Sequence, residues 1–322
     1  MRAVQFRTTG GPDVLEVVDV ATPDPRPGQA RVRHEAIGIN FIDTYHRTGL
    51  YPVKLPCISG GEAAGVVEAV GDGVTAVKVG DRVAYSGGFG AYAEANCVAA
   101  DRLVKLPDGV DARLAAAILL KGMTTEAFVR RTYPVQAGET VLVHAAVGGV
   151  GQIMTQWLKA IGAEVIATVG SAEKAAKARE LGADHVILYR EQDVAAEVRR
   201  ITGGKGVPVA YDSVGKDTFE GTLASLARRG LFVSFGNASG PVPPFPPSRL
   251  AAGGSLYLTR PTLFDYIVTP EELAASAAAV FEMVRSGKIR IEIGQTFRLD
   301  QARAAHEALE SRATVGASLL VP

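Results

Sequence analysis

Residues 139–151 read Glu-Thr-Val-Leu-Val-His-Ala-Ala-Val-Gly-Gly-Val-Gly, an apolar run that ends in closely spaced glycines. This pattern predicts a buried strand that turns directly into a helix. Ala146, Gly148 and Gly151 occupy the three positions of the G-x-G-x-x-G pattern, with alanine replacing the first glycine. We expect Gly148 to let the backbone approach a dinucleotide pyrophosphate and the helix N-terminus to supply amide donors. A tight strand-to-helix turn without a ligand is the alternative.

The sequence around this segment alternates short apolar strands with helical segments. From about Ala112 onward we predict helices at 150–161 and 173–181 and strands at 140–145, 164–168, 185–188, 209–212 and 231–235. This alternation predicts an α/β fold with a Rossmann-type, doubly wound parallel sheet. The proline-rich residues 241–247 should form a semi-rigid surface excursion. Helices at 270–285 and 299–309 and a strand at 318–321 follow.

The end of the second predicted strand bears on which dinucleotide binds. An NAD enzyme usually places an acidic side chain there against the ribose hydroxyls. Here the strand is followed by Gly170, Ser171 and then Lys174, with no acid at the strand end. An amide, a hydroxyl and an ammonium group suit the 2′-phosphate of NADPH, which a carboxylate would repel. The sequence favours NADPH over NADH; a solvated lysine at position 174 is the alternative.

The part of the chain before about Leu106 has a different pattern, in which turns separate short β-prone runs. In the run at 30–37, Val32, His34 and Ala36 alternate with charged residues. Such alternation is typical of a half-buried antiparallel strand. We therefore predict a second, β-rich domain.

Composition narrows the class of protein. The 322 residues suffice for two domains, and 47% hydrophobic with 21% charged residues is typical of a packed globular chain. The 34 basic and 34 acidic residues cancel, so nucleic acid is not an expected partner. No apolar run reaches spanning length and the N-terminus lacks a signal core, so we expect a cytoplasmic protein without a membrane partner. Cys57 and Cys97 are expected to be small buried thiols.

Six sequence blocks together resemble the medium-chain dehydrogenase/reductase superfamily, in particular its zeta-crystallin-like quinone reductases. They are Gly-Ile-Asn-Phe-Ile-Asp-Thr-Tyr (38–45), Gly-Gly-Glu-Ala-Ala-Gly (60–65), Gly-Asp-Arg-Val (80–83), His-Ala-Ala-Val-Gly-Gly-Val-Gly (144–151), Tyr-Asp-Ser-Val-Gly (211–215) and Ser-Phe-Gly-Asn (234–237). The resemblance covers essentially the whole chain. It implies a GroES-like catalytic domain at 1–120 that resumes at 263–322, with a Rossmann NADPH-binding domain at 121–262 inserted. NADPH would lie in the cleft, with its nicotinamide facing the β-rich domain.

The resemblance also implies a zinc-free enzyme. Zinc-dependent alcohol dehydrogenases of this superfamily place a cysteine at Asn40 or its neighbour and a histidine at Gly61, and neither ligand type is present. Two cysteines cannot fill the four thiolate positions of their structural zinc. Without a Lewis acid, alcohol oxidation is disfavoured. The implied activity is zinc-independent hydride transfer from NADPH to a quinone or another electrophilic acceptor.

The resemblance assigns roles to individual residues. Those implied to act at the acceptor are Asn40, Tyr45, Tyr51 and Thr124. Those implied to bind NADPH are Asn40, Phe41, Lys121, Thr124, Gly148, Gly149, Val150, Gly170, Ser171, Lys174, Tyr189, Ser213, Phe235, Gly236, Asn237, Thr259, Arg260 and Arg312. Tyr45 and Tyr51 could instead be packing aromatics, and Asn40 only a helix N-cap. Glu126 is a departure, since relatives can carry an aromatic residue near that position.

Two other functions stay open at this point. One is an NADPH-dependent alkene reductase acting on enones or enals, which would use the same site with a different acceptor pocket. The other is a non-catalytic NADPH-binding protein, because a fold does not fix a function. We also expect a homodimer formed by edge pairing of residues 255–259, whose apolar edge would otherwise invite aggregation.

Overall fold

The structure, a computed structural model, describes residues 1–311 and 314–322. Its strands are β1 (Arg2–Phe6), β2 (Glu16–Asp19), β3 (Gln29–Ile39), β4 (Cys57–Ile58), β5 (Glu62–Val70), β6 (Arg82–Ser86), β7 (Ala95–Ala99), β8 (Val104–Lys105), β9 (Thr140–Val143), β10 (Glu164–Val169), β11 (His185–Leu188), β12 (Val207–Asp212), β13 (Leu226–Ser234), β14 (Tyr257–Thr259), β15 (Ile293–Arg298) and β16 (Ala317–Val321). Its α-helices are α1 (Phe41–Thr48), α2 (Ala112–Glu126), α3 (Gly149–Ile161), α4 (Ala172–Glu180), α5 (Val194–Ile201), α6 (Phe219–Ser225), α7 (Ser248–Ala252), α8 (Pro270–Arg285) and α9 (Ala302–Glu310). A π-helical turn, Ala127–Thr132, continues α2.

The chain forms two compact units. Unit 1 contains Met1–Met123, Ile267–Arg285 and Ile291–Pro322. Unit 2 contains Thr124–Tyr266 and Ser286–Arg290. The domain bounds expected from the sequence, 1–120, 121–262 and 263–322, stay a prediction.

Unit 2 is built on one parallel sheet with the strand order β11-β10-β9-β12-β13-β14. Counted from β9, this is the order 3-2-1-4-5-6 of the doubly wound dinucleotide fold. The predicted α/β fold class is confirmed. β9 ends at Val143, two residues earlier than predicted, because Ala145 takes a left-handed backbone conformation with φ of 51°. β14 begins at Tyr257 rather than at 255, since Ser255 is also left-handed.

The close approach between α3 and the turn after β9 explains why residue 151, the last of the segment 139–151, is a glycine. A Cβ atom on Gly151 would lie 2.2 Å from the carbonyl oxygen of Ala145 and 2.8 Å from the Ala146 backbone. Any larger residue would push α3 away from the sheet. Gly151 therefore fixes where the N-terminus of α3 lies relative to the ends of β9 and β10.

Unit 1 contains two sheets. Antiparallel β2-β1-β4 form the smaller one, and the larger has the order β15-β16-β3-β5-β6-β8 with β7 also paired to β3. The predicted alternation in β3 is confirmed, because Val32, His34 and Ala36 are buried whereas Arg33 and Glu35 are exposed. β16 pairs antiparallel with β3, so the C-terminal strand joins the sheet that the N-terminal part of the chain forms.

The C-terminal helices, the proline-rich segment and the two cysteines can also be compared with the sequence predictions. The predicted helix at 270–285 is confirmed as α8, and the one at 299–309 begins as the 3₁₀ turn Leu299–Gln301 and continues as α9. The proline-rich residues 241–247 contain neither helix nor strand. Cys57 is buried as expected, whereas Cys97 is only half-buried. Among the described residues, no helix combines the length and the apolar character needed to cross a membrane.

Candidate active site

The carboxyl ends of the parallel strands of unit 2 meet at one edge of its sheet, where open α/β sheets bind their ligands. The predicted cofactor residues of unit 2 cluster there. Gly148 follows β9, Gly170 follows β10, Ser213 follows β12, Phe235 follows β13 and Arg260 follows β14. The fold thus gathers residues that span more than a hundred positions of sequence.

The turn between β9 and α3 leaves the first amides of α3 uncovered by side chains. Gly148 is the N-cap of α3, with φ of −74° and ψ of 178°, and no acidic residue lies in the first turn. Gly149 and Val150 follow, both half-exposed. The first amides of a helix lack intrahelical partners and carry the positive end of the helix dipole. This turn therefore fits a diphosphate group.

A buried polar network fixes the loops around that turn. His144, at the end of β9, lies 3.0 Å from Thr168 Oγ1 on β10 and 3.0 Å from Thr222 Oγ1 on α6. Thr222 Oγ1 also lies 3.0 Å from Asp212 Oδ2 at the end of β12. Burial lowers the pKa of His144, so the ring is neutral and acts as a hydrogen-bonding spacer. The network joins the ends of three strands without a charge on the histidine.

The loops after β10 and β11 form a cationic pocket. Ser171 is the N-cap of α4 and accepts a hydrogen bond from the backbone N–H of Lys174. A Cβ atom on Gly170 would lie 2.7 Å from Tyr189 Oη and 3.4 Å from Arg190 Nε. Burial and the charge of Arg190 lower the pKa of Lys174. The charge of Glu173 acts in the opposite direction. An anion beside Lys174 and Arg190 would offset the repulsion between the two cations.

Sequence reasoning missed Arg190. It follows β11, and β11 is the neighbour of β10 in the sheet, so the topology carries it to Gly170. A strand order of the 3-2-1-4-5-6 type would have pointed to it, because the third strand then ends beside the second.

The loops after β12, β13 and β14 also lie against one another. A Cβ atom on Gly236 would lie 2.1 Å from the Ser213 carbonyl oxygen, and Arg260 Nη1 donates to the Gly236 carbonyl at 3.0 Å. The Phe235 ring packs edge-on against Phe128. An open cavity of about 440 Å³ adjoins these loops and is lined by Asn237, Phe245 and Arg260 among others. Thr259 is half-buried on the edge strand.

In unit 1 the buried carboxylate of Glu62 collects three donors. Asn40 Nδ2 donates to it at 2.8 Å, Lys121 Nζ at 3.0 Å and the Leu120 backbone N–H at 2.7 Å. Glu62 is fully buried, and Lys121 is 5% exposed. Gly38 makes room for this cluster, because a Cβ atom there would lie 2.3 Å from Glu62 Oε2. Glu62 therefore connects the ends of β3 and β5 with α2.

Asn40 is more than a helix cap. It occupies the N-cap position of α1, and its backbone N–H donates to Asp43 at 2.9 Å. Its side-chain amide nitrogen donates to Glu62. The orientation of that amide is therefore set by a buried anion.

An aromatic cluster follows Asn40 along α1. The Tyr45 ring lies 5.4 Å from Tyr51 and 6.3 Å from Phe41, measured between ring centroids. His46 lies against Phe89 at 4.8 Å and burial lowers its pKa. Tyr45 is 9% exposed and Tyr51 is half-buried, so packing and an acceptor wall are compatible roles. Sequence reasoning did not include His46 or Phe89.

Thr124 is half-buried on α2. Glu126 is buried and accepts from Arg131 at 2.7 Å, so it is a paired structural charge. Arg312 lies outside the described residues.

The residues at the positions of the zinc ligands do not fit a zinc site. Asn40 uses its amide on Glu62, and Gly61 has no side chain. Across residues 1–311 and 314–322, no group of three or more His, Cys, Asp or Glu side chains is arranged to hold a metal ion.

Comparison with known proteins identifies the family models and the relatives that the chain matches. The family models that match are the alcohol dehydrogenase GroES-like domain over residues 26–108 and the zinc-binding dehydrogenase over residues 149–280. A quinone oxidoreductase of Pseudomonas aeruginosa is 53% identical, over 100% of this chain and 99% of its own. A 2-haloacrylate reductase of Burkholderia is 43% identical, over 99% and 98%.

A solved structure agrees over the whole chain. The crystal structure of Escherichia coli quinone oxidoreductase complexed with NADPH superposes with a TM-score of 0.99 at 48% identity, covering 100% of both chains. The chain belongs to the quinone oxidoreductase family of the medium-chain dehydrogenase/reductase superfamily.

Proposed function

We propose that this protein is an NADPH:quinone oxidoreductase that transfers hydride without zinc. The observation that carries the proposal is the presence of two cations, Lys174 and Arg190, in the segments that follow β10 and β11, in a chain whose full-length relatives are quinone oxidoreductases. No carboxylate follows β10 directly, so these segments would accept the 2′-phosphate that distinguishes NADPH from NADH. The E. coli relative was solved with NADPH.

The residues of unit 2 would hold NADPH along the edge of the sheet. Gly148, Gly149 and Val150 would bind the diphosphate through backbone amides. Gly170, Ser171, Lys174, Tyr189 and Arg190 would surround the 2′-phosphate and its ribose. The loops that carry Ser213, Phe235, Gly236, Asn237, Thr259 and Arg260 would pass under the cofactor.

The residues of unit 1 would provide orientation at the reacting end. NADPH supplies the hydride, and a quinone accepts it readily, so no strong general acid is required. Asn40 would hold the nicotinamide or the acceptor with an amide that Glu62 fixes. Phe41, Tyr45 and Tyr51 would form the acceptor wall and exclude water, while Lys121 would fix the cofactor. Thr124, the first residue of unit 2, would also fix the cofactor. Arg312 keeps its expected role as a prediction, as does the cytoplasmic location.

The acceptor is the first thing to test. We expect steady-state turnover with NADPH to be faster with quinones than with enones, enals or simple aldehydes, because a quinone accepts hydride without Lewis-acid activation of its carbonyl. One of the relatives is a 2-haloacrylate reductase, so alkene reduction is the alternative activity to test. If enones are reduced far faster than every quinone tried, that alternative replaces quinone reduction. Tight NADPH binding without turnover of any acceptor would show a non-catalytic protein.

The cation pair makes a prediction about cofactor choice. Lys174→Ala and Arg190→Gln should each weaken NADPH binding by roughly tenfold or more and leave NADH binding nearly unchanged, because each removes a charge-assisted contact to the 2′-phosphate. Dissociation constants from the fluorescence of the bound cofactors measure this. Lys177→Ala is the control, since Lys177 lies on the same helix and pairs with Glu180. Equal losses for both cofactors in the Lys174 or Arg190 variants would contradict the assignment.

Substitutions of Tyr51 can show whether this residue orients the acceptor or takes part in the reaction. Tyr51→Phe keeps the ring that packs on Tyr45 and should retain most quinone turnover. Tyr51→Ala removes the ring and should lose more through a misplaced acceptor. The comparison requires kcat and KM for a set of quinones, with melting temperatures to verify folding. If the two variants are equally damaged, the hydroxyl takes part in the chemistry.

We also propose a homodimer through β14. This strand is the last of the sheet, and Tyr257 on it is 54% exposed. An edge of this kind invites pairing with a second copy. Light scattering at micromolar concentration should give the mass of two chains, and a monomer would count against the pairing.

A further inference from the structure

The first turn of α1 rests on a buried carboxylate that the proposed chemistry does not use. Asp43 is 2% exposed, and its Oδ2 accepts the Asn40 backbone N–H at 2.9 Å. The same oxygen accepts from the hydroxyl of Tyr92 at 3.0 Å. Asp43 thus fixes the backbone at the residue whose side chain faces Glu62.

The contact with Tyr92 is the first of a continuous series. Tyr92 Oη lies 3.0 Å from His306 Nε2 on α9, and His306 Nδ1 lies 3.2 Å from Arg47 Nη1. Arg47 is held in turn by both carboxylate oxygens of Glu310, at 2.7 and 3.0 Å. The series runs from a half-exposed glutamate to the start of α1, through three side chains that are almost wholly buried.

Arg47 determines which atom donates and which accepts in each hydrogen bond of this series. A guanidinium group only donates, so His306 Nδ1 must accept and Nε2 must carry the proton. Burial and the charge of Arg47 lower the pKa of His306 to about 3, so the ring is neutral. Nε2–H then donates to the Tyr92 oxygen, and the Tyr92 hydroxyl is left to donate to Asp43. Each donor therefore points toward Asp43.

Asp43 needs those donors because burial opposes its charge. Desolvation raises the pKa of Asp43 to about 7, while the hydrogen bonds from Asn40 and Tyr92 and the charge of Lys121 act in the opposite direction. The remaining charge that faces it, Glu62, raises the pKa further. The hydrogen bond from Tyr92, the last of the relay, thus favours the ionised form of Asp43, which is the stronger acceptor for the Asn40 N–H.

We propose that Arg47, His306 and Tyr92 form a one-directional hydrogen-bond relay that makes Asp43 the positioning residue for Asn40 and the first turn of α1. The packing agrees: a Cβ atom on Gly60 would lie 2.1 Å from the Tyr92 ring, so the glycine before Gly61 and Glu62 makes room for the relay. The consequence for catalysis rests on the proposed function of Asn40. The positioning itself does not.

Hydrogen exchange tests the positioning without any substrate. In Tyr92→Phe, the protection of the backbone at residues 40–45 should fall by about tenfold, the usual value of one charge-assisted hydrogen bond, because Asp43 loses a donor. In His306→Leu the protection should fall by less, since Tyr92 keeps its hydrogen bond to Asp43 and loses only the donor that orients its hydroxyl. As the pH falls, this protection should be lost when Asp43 takes up a proton, near pH 7 in the wild type and at a higher pH in both variants, with the larger shift in Tyr92→Phe. His306→Gln should restore both values, since its amide N–H can still reach Tyr92.

Tyr85→Phe is the matched control. Tyr85 is 1% exposed and its hydroxyl lies 3.0 Å from His34 Nε2, so it is a second buried tyrosine–histidine pair of unit 1. The hydroxyl contacts His34 on β3 and Asn96 on β7, outside the relay. Its loss should lower global stability and leave residues 40–45 protected. For the enzyme, the relay variants should raise KM for the quinone more than they lower kcat.

Unchanged protection of residues 40–45 in both relay variants, or an equal loss in Tyr85→Phe, would overturn the relay. Should Tyr92→Phe fail to fold, His306→Leu and His306→Gln decide the question alone. A wild-type protein that reduces no quinone would refute the proposed function, and the exchange result would still decide on the relay.

Discussion

The carboxylate of Glu62 holds together parts of unit 1 that are distant in sequence. It receives the amide of Asn40, the ammonium group of Lys121 and the backbone N–H of Leu120, and it is fully buried. A buried charge without partners costs several kcal/mol, and removing one partner of a buried pair typically costs about 3 to 5 kcal/mol. The three donors can therefore be satisfied only when β3, β5 and α2 meet as they do. Asn40 takes its orientation from that requirement.

Unit 2 joins its strand ends through a network in which the histidine is uncharged. The ends of β9, β10 and β12 are linked through His144, Thr168, Thr222 and Asp212, so the loops at this edge of the sheet are held together without a positive charge on His144. Lys174 and Arg190 follow β10 and β11 at the same edge. The proposed binding of the 2′-phosphate depends on these two cations.

The sequence alone predicted the parts of this fold that depend on local pattern. The strand-to-helix turn at 139–151, the alternation in β3 and the parallel sheet follow from periodicity and glycine spacing, and the family resemblance gave the arrangement of segments. Left-handed Ala145 and Ser255 shortened two strands, which no propensity for alanine or serine would indicate. Arg190 was not predicted because only the strand order brings it near Gly170.

Long-range polar contacts were the least accessible to sequence reasoning. Tyr92 and His306 are 214 positions apart, and Arg47 and His306 are 259 apart. Neither a buried histidine nor a buried arginine has a sequence signal, because each is tolerated in the core only after the fold has supplied its partner. The same holds for Glu62: the resemblance identified its block as well as Asn40 and Lys121, but it did not indicate the hydrogen bonds between them.

Direct transfer of hydride to a quinone is tested most closely by a single turnover. The protein is loaded with NADPH that carries deuterium at one or the other C4 position, mixed rapidly with a quinone, and followed by the absorbance of the cofactor. We expect oxidation in one exponential phase that slows several-fold for deuterium at only one of the two positions, with that deuterium absent from the oxidised cofactor. Oxidation that is insensitive to both labels, or no oxidation by quinones while enones react, would contradict hydride transfer to a quinone as the reaction of this protein.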